Sequence, residues 1–295
     1  MATTVLITGA TGLVGKALTQ LLLSKGYAIH VLTTKKSLVH SNKNLQYFHW
    51  NPQENEIDTS CFEGVEVVIN LAGSSIAQRW TKSSKASILN SRIQSLQVLA
   101  KAIKKGKFPI KQLISASAVG IYSDSKTNYY EEKHVPTDNS SFLSTVVRAW
   151  ESATIQFQNM GIKTTLLRIG IVLDTNGGAL PKIKAPIEKY CGAVLGSGEQ
   201  WQSWIHIDDL VAIFAHALEY KLEGVFNAVA PNPVQQIELT KTTAQVLKRP
   251  IFLPNVPEFA LKLLLGEMSA VVLESQRVCS KKIQNTSSRL EYYST

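Results

Sequence analysis

The chain has 295 residues, 44% of them hydrophobic and 18% charged, with 31 Lys+Arg against 22 Asp+Glu for a formal net charge of +9. That is enough apolar material for one large domain or two modest ones, and it excludes a disordered tail. No apolar run approaches the roughly 18 residues of a membrane span, no basic segment precedes the first apolar stretch, and three distant cysteines (Cys61, Cys191, Cys279) exclude a disulfide framework or a Cys-based zinc site; a cytoplasmic setting is expected.

Taken in order, residues 5–7 read as a short apolar strand. Residues 13–23 follow as a helix with Leu13, Ala17, Leu18, Leu21 and Leu22 on one face. Residues 28–32, 45–50 and 65–71 read as strands. The last is almost wholly apolar, as expected of a parallel strand covered on both faces. Residues 83–105 form a long helix, 112–117 a fifth strand, 142–160 a helix and 164–170 a sixth strand. Strands alternating with helices predict an α/β fold, a Rossmann-type doubly wound parallel sheet. Beyond about residue 175 turn signals thicken and the pieces shorten. Helices are expected at 208–220, 238–247 and 258–265, with a strand near Val225. The division expected is a dinucleotide-binding domain over 1–175 and a smaller C-terminal α+β substrate lobe over 176–295, with a polar end from Gln284 that frays.

The strongest motif is Gly9-Ala-Thr-Gly12-Leu-Val-Gly15, which follows a predicted strand and opens a predicted helix. Glycines at this place let the chain turn tightly, approach a pyrophosphate and pack helix on strand, and the helix N-terminus favours the phosphate charge. Thr11, Leu13 and Val14 share the turn. An NAD site would carry an acid near Leu32 for the ribose 2′-hydroxyl. Here Thr33, Thr34, Lys35 and Lys36 stand instead, which suits a 2′-phosphate and favours NADP. Leu71, Ala72 and Gly73 end the fourth strand with backbone that can pass close to a cofactor. Ser115 and Ser117 end the fifth, where the nicotinamide is expected.

At these residues the chain resembles the extended short-chain dehydrogenase/reductases. It is most similar to their atypical epimerase-like branch with a dedicated C-terminal domain, the branch grouped with nucleoside-diphosphate-sugar epimerases. The resemblance runs nearly end to end, through Arg79-Trp80, Ser91-Arg92, Trp150-Glu151 and Arg168–Leu173. It is most specific at Leu195–Leu210 and Ala230-Pro-Asn-Pro233. It implies cofactor positions at or beside Gly9, Gly12, Leu13, Thr33, Lys35, Leu71, Ala72, Arg92 and Val172. The branch often has Arg where this chain has Thr34, so Lys35 or Lys36 has to meet the phosphate.

Ordinary members of the superfamily use a Tyr-x-x-x-Lys pair on the helix after the fifth strand, with Tyr as general acid/base. Counting back from Glu151 places Val147 at the Lys position and Leu143 at the Tyr position, and no Lys occurs between residues 134 and 162. Neither side chain transfers a proton. The candidate catalytic residues left are Ser117, able to hydrogen-bond a substrate carbonyl, and Tyr122 five residues on. His206 is either a candidate acid–base group or a structural histidine, and Asp208 and Asp209 are expected to cap the next helix. Scattered histidines give no metal pattern.

Arg79, Trp80, Arg92 and Arg168 suit an anionic ligand; Trp201 and Trp204 wall the same cleft or fill the core between the lobes. The remaining basic residues are dispersed and not interleaved with aromatics, so no nucleic-acid partner is expected. Two readings stay open. One is an NADP-dependent epimerase or oxidoreductase acting on a polar small molecule, anionic or a nucleotide sugar. The other is an NADP-binding regulatory module read by a protein partner. Either a monomer or a homodimer is compatible with the sequence.

Overall fold

The structure, a computed structural model, describes residues 3–39, 44–134 and 141–286. The first part of the chain runs β1 (Thr4–Thr8), α1 (Leu13–Ser24), β2 (Ala28–Thr33), β3 (Leu45–Asn51), β4 (Glu56–Ile57), β5 (Val65–Asn70), α2 (Lys82–Gly106), β6 (Gln112–Ala118), β7 (Tyr129–Tyr130), α3 (Phe142–Ser152), α4 (Ile155–Gln158) and β8 (Lys163–Ile169). It continues with β9 (Ile171–Asp174), β10 (Gly177–Gly178), α5 (Leu180–Glu188), β11 (Trp201–Gln202), β12 (Trp204–His206), α6 (Ile207–Glu219), β13 (Gly224–Ala228), β14 (Val234–Gln235), α7 (Gln236–Val246), α8 (Glu258–Leu265), α9 (Ala270–Leu273), β15 (Arg277–Val278) and α10 (Lys281–Gln284).

Eight strands form the central sheet in the order β13-β8-β6-β5-β1-β2-β3-β4. All neighbours are parallel except β4, which returns antiparallel to β3. The central strands are apolar on both faces because helices cover both. Val5, Leu6 and Ile7 of β1 and Val68 and Ile69 of β5 are fully buried. The order reverses at β1 and β5, which places the switch point, and the cleft beyond the strands' C-terminal ends, at the glycine motif.

Two sequence expectations change. The helix expected over 142–160 is broken: α3 stops at Ser152 and one turn, α4, follows. The buried Thr154 hydroxyl donates to the Glu151 carbonyl at 2.7 Å, a local bond that competes with helix propagation. The expected division at 175/176 also fails to separate the layers. β13 pairs with β8 and extends the main sheet, and α6 packs against α1. The cause is composition: α6 buries Leu210, Val211, Ile213, Phe214, Ala217 and Leu218 on nearly its whole circumference, which only a core position satisfies.

The remaining C-terminal pieces lie across the sheet's edge. β12 pairs with β9 and β15 with β7, both parallel, and β11 pairs antiparallel with β14. The loop at Ser275 is stitched down. Its N–H donates to Asp124 Oδ1 at 2.8 Å, and its Oγ donates to the Ser125 carbonyl at 2.9 Å and accepts from the Trp201 N–H at 3.0 Å.

Candidate dinucleotide site and adjoining cavity

The turn between β1 and α1 is closed by the Gly12 N–H donating to the Gly9 carbonyl at 3.0 Å. Gly9 has φ +70°, and a Cβ there would lie 2.7 Å from the Leu71 carbonyl oxygen. A Cβ on Gly15 would lie 2.3 Å from the Gly9 oxygen and 2.5 Å from Ala10 Cα. Backbone thus packs on backbone at both positions, and no other residue type fits. The α1 N-terminus has no side-chain cap and no acid in its first turn, so its positive end is left for an anion. Thr11 and Gly12 are exposed beside it.

The neighbouring strand end is held by Thr8. Its hydroxyl donates to Asn70 Oδ1 at 2.8 Å and accepts from the Leu71 and Ala72 N–H groups, each at 3.2 Å. Asn70 Nδ2 in turn donates to Ser115 Oγ at 3.1 Å. Leu71 and Ala72 are therefore fixed half-buried at the strand end. Ser115, expected at the cofactor, is fully buried, and its hydroxyl is engaged by Asn70 and its own strand. Leu13, Val14 and Val172 come together with the β9–β10 hairpin. A Cβ on Gly177 would meet Leu13 Cδ1 at 2.8 Å, and one on Gly178 the Val172 oxygen at 2.4 Å.

At the end of β2, Thr33 is buried and its Oγ1 accepts from the Lys35 N–H at 3.1 Å. That turn projects Thr34, Lys35 and Lys36 into exposed positions. Arg92 lies against Gly73, where a Cβ would come within 3.1 Å of the guanidinium carbon. Its Nη1 donates to the Ile88 carbonyl at 2.8 Å and the Ser74 carbonyl at 3.1 Å, and it stacks over Trp150 at 4.9 Å. Burial lowers its pKa to about 10, so it remains charged at neutral pH. Among the described residues it has no carboxylate partner, and the buried Trp150 Nε1–H has no acceptor. A charged, polar cofactor with phosphate and amide oxygens fits this donor set and the glycine cradle.

Both catalytic candidates are buried with their hydroxyls engaged. Ser117 is 2% exposed and donates to Glu151 Oε1 at 2.6 Å; Tyr122 is 1% exposed and donates to Asn227 Oδ1 at 2.7 Å. Burial pushes the Tyr122 phenol upward, further from proton exchange at neutral pH. Both belong to one network under the cleft. Arg168 pairs with Glu151 through two bonds of 2.9 Å and donates from Nη1 to Tyr122 at 3.0 Å. Ser117, Arg168 and Asn227 stand side by side because β6, β8 and β13 pair in register. Arg168 is thereby a structural cation and not a ligand one.

His206 is also structural: it caps α6, its Nδ1 accepting from the Asp208 N–H at 3.3 Å, so the capping role expected of Asp208 and Asp209 falls to it. Trp80 and Trp204 are buried, with Nε1–H groups donating to the Ile76 and Asn232 carbonyls at 3.0 Å each, and Arg79 is exposed away from the cavity. Trp201 alone of these reaches the cleft.

Beside Arg92 a cavity of ≈ 170 Å³ opens between the ends of β6 and β8, the face of α3 and the C-terminal pieces. α3 presents Leu143, Val146 and Val147 to it. Leu143 and Val147, the residues expected at the superfamily's Tyr and Lys positions, thus form apolar wall. Sequence reasoning missed the cavity's contributors from the C-terminal region, Val271, Glu274 and Gln276. The available signal was a carboxylate ending the apolar run Ala270–Leu273. Among the described residues no group of three or more His, Cys, Asp or Glu could hold a metal ion, and no helix is long and apolar enough to cross a membrane.

A parallel sheet with a glycine cradle at its switch point and a second set of elements over the strand ends defines a dinucleotide-binding α/β protein of the extended short-chain dehydrogenase/reductase type. The model of the NAD dependent epimerase/dehydratase family matches residues 5–228, so the chain belongs to that family; a domain of unknown function, DUF1731, matches 256–286. The chain is 41% identical to an epimerase family protein of Staphylococcus saprophyticus, SSP1921, over 97% of this chain and 95% of that one. It is 38% identical to epimerase family protein YfhF of Bacillus subtilis, over 97% and 93%. The crystal structure of human epimerase family protein SDR39U1 with NADPH superposes with a TM-score of 0.82 at 30% identity, covering 98% of this chain and 95% of that one.

Proposed function

We propose that the protein binds NADP(H) across the cleft, as a site of epimerase or oxidoreductase type that operates without a Tyr–Lys proton relay. The observation that carries the reading is the glycine cradle, in which Gly9 and Gly15 leave backbone and an uncapped helix end free for a pyrophosphate. NADP is favoured over NAD by the exposed Thr34, Lys35 and Lys36 with no carboxylate among them. The human relative solved with NADPH supports the same choice.

When bound, the nicotinamide supplies hydride exchange. The chain's own residues position and enclose. Thr8 holds the Leu71–Ala72 backbone, Arg92 offers a fixed cation, and Leu143 and Val147 exclude water from the α3 side. Those two apolar residues are also what favours the second reading, a regulatory module in which occupancy is read by a protein partner. The readings part at turnover, which the module lacks.

Titration by cofactor fluorescence tests the cofactor assignment. NADPH is expected to bind more tightly than NADH. A Lys35→Ala, Lys36→Ala double variant should narrow the gap by at least about tenfold, since a hydrogen bond to a charged group contributes roughly 1.5–3 kcal/mol. Equal affinities in the unmodified protein would contradict the assignment.

A further inference from the structure

We propose that the outward face of α8 is a homodimer interface, on which a second copy of this chain packs its own α8 antiparallel about a two-fold axis.

The apolar surface is the first argument. Leu263, Val246, Leu264, Phe259 and Phe252 are the five most exposed large apolar side chains among the described residues, and all lie between 246 and 264. Of the eight residues of α8 only Leu261 is buried, while Phe259, Leu263 and Leu264 stand 73–84% exposed. Phe259 and Leu263 are one turn apart and form a stripe, with Leu264 next to it. The helix is held firmly from behind. The Val256 N–H donates to the Val194 carbonyl and the Gly196 N–H to the Val256 carbonyl, each at 2.8 Å. Phe252 and the three α8 side chains together expose on the order of 500 Å². A polar rim around them brings the face to about the 800 Å² per partner of a standard interface.

Charge chooses the occupant. α8 carries Glu258 and Lys262, opposite charges one turn apart, with 3.8 Å between Oε2 and Nζ and both side chains exposed. They sum to zero, so the helix offers no net charge to an anionic bilayer, whose surface-bound helices are rich in Lys and Arg. Its neighbours are already engaged: Arg249 donates to the Tyr190 hydroxyl at 2.6 Å and stacks on that ring, and Glu267 pairs with Lys85. A two-fold interface has to complement itself. Turned end for end, this helix does so: Glu258 of each copy meets Lys262 of the other, at both ends of a shared apolar stripe. The exposed pair within one helix contributes little and is readily exchanged for these two.

The face also adjoins the cleft. α8 leads through Gly266, at φ +61°, to α9, whose Ala270 and Val271 line the cavity. A copy seated on α8 therefore braces that wall. The glycine cradle stands on β1 and α1, so pairing and cofactor binding are separable.

The test is sedimentation equilibrium of the full chain at about 0.15 M salt, where the charge of +9 on each copy is screened beyond about 8 Å. A species of twice 32.5 kDa is expected at about 100 µM chain. Phe259→Asp, and separately Leu263→Asp, should each weaken the dimer at least about tenfold, with circular dichroism melting and NADPH affinity unchanged. Lys262→Glu alone should weaken it at least about threefold, and Glu258→Lys, Lys262→Glu together should restore it. The charge variants decide the matter even where an aspartate variant fails to fold. A chain that stays monomeric overturns the proposal. So does a dimer indifferent to both aspartates, or a double reversal no tighter than the single one. A monomer that cosediments with phosphatidylglycerol vesicles gives the face to lipid and overturns it too.

Discussion

A Glu151→Ala variant should lose about 3–5 kcal/mol of stability, the effect expected when one partner of a buried ion pair is removed. The Arg168 side chain is 3% exposed and that of Glu151 14%, with two bonds of 2.9 Å between them. Removing the carboxylate leaves a guanidinium under the sheet's end bonded only to the neutral Tyr122 hydroxyl and the Glu132 carbonyl, while the Glu132 carboxylate is engaged by the Asn227 N–H at 2.9 Å. It also strips Ser117 of its acceptor. Urea unfolding followed by circular dichroism reads the loss as a lower midpoint at unchanged slope. A Glu151→Leu, Arg168→Met double variant should recover most of it, because neither charge then remains buried. A single variant as stable as the parent would show that the pair is not closed in solution.

Gly15→Ala should reduce NADPH affinity by at least about a hundredfold, roughly 2.7 kcal/mol, and also lower stability. The added Cβ would sit 2.3 Å from the Gly9 oxygen and 2.5 Å from Ala10 Cα, so the turn that forms the cradle has to move. Overpacking of this kind costs about 1–3 kcal/mol. Gly12→Val makes the contrast. Its φ of −78° suits any residue, and a Cβ there meets only the Gly9 oxygen at 3.3 Å. The fold should stand while the branched side chain fills the approach to the helix end, so that affinity falls with little change in melting temperature. Full NADPH affinity in folded Gly15→Ala protein would move the nucleotide site elsewhere.

The parallel sheet was legible because strands covered on both faces leave long apolar runs, as at 65–71, and because the glycines follow one of them. Elements of two to four residues, such as β9–β12, carry too little pattern to be read. β13 looked like part of a separate lobe because its place beside β8 is a matter of strand order, which the local sequence does not encode. Leu143 and Val147 were set at the Tyr and Lys positions through the family resemblance, by counting back from Glu151, and both residues line the cavity. Ser117 and Tyr122 misled for a different reason. Their hydroxyls are chemically competent, but a residue's type does not show that Glu151 and Asn227 accept those protons beneath the surface. Glu274 went unread because its neighbours in space, Asp124 and the α3 face, are far away in the chain.

The most direct measurement is a crystal structure of the protein with NADPH. The account predicts the pyrophosphate over Gly9–Gly12 at the α1 N-terminus, the 2′-phosphate among Thr34, Lys35 and Lys36, and the nicotinamide bordered by Leu143 and Val147 with no tyrosine or lysine side chain reaching its ring. A cofactor bound elsewhere, a 2′-phosphate turned away from Lys35 and Lys36, or a tyrosine–lysine pair closing on the nicotinamide would contradict it.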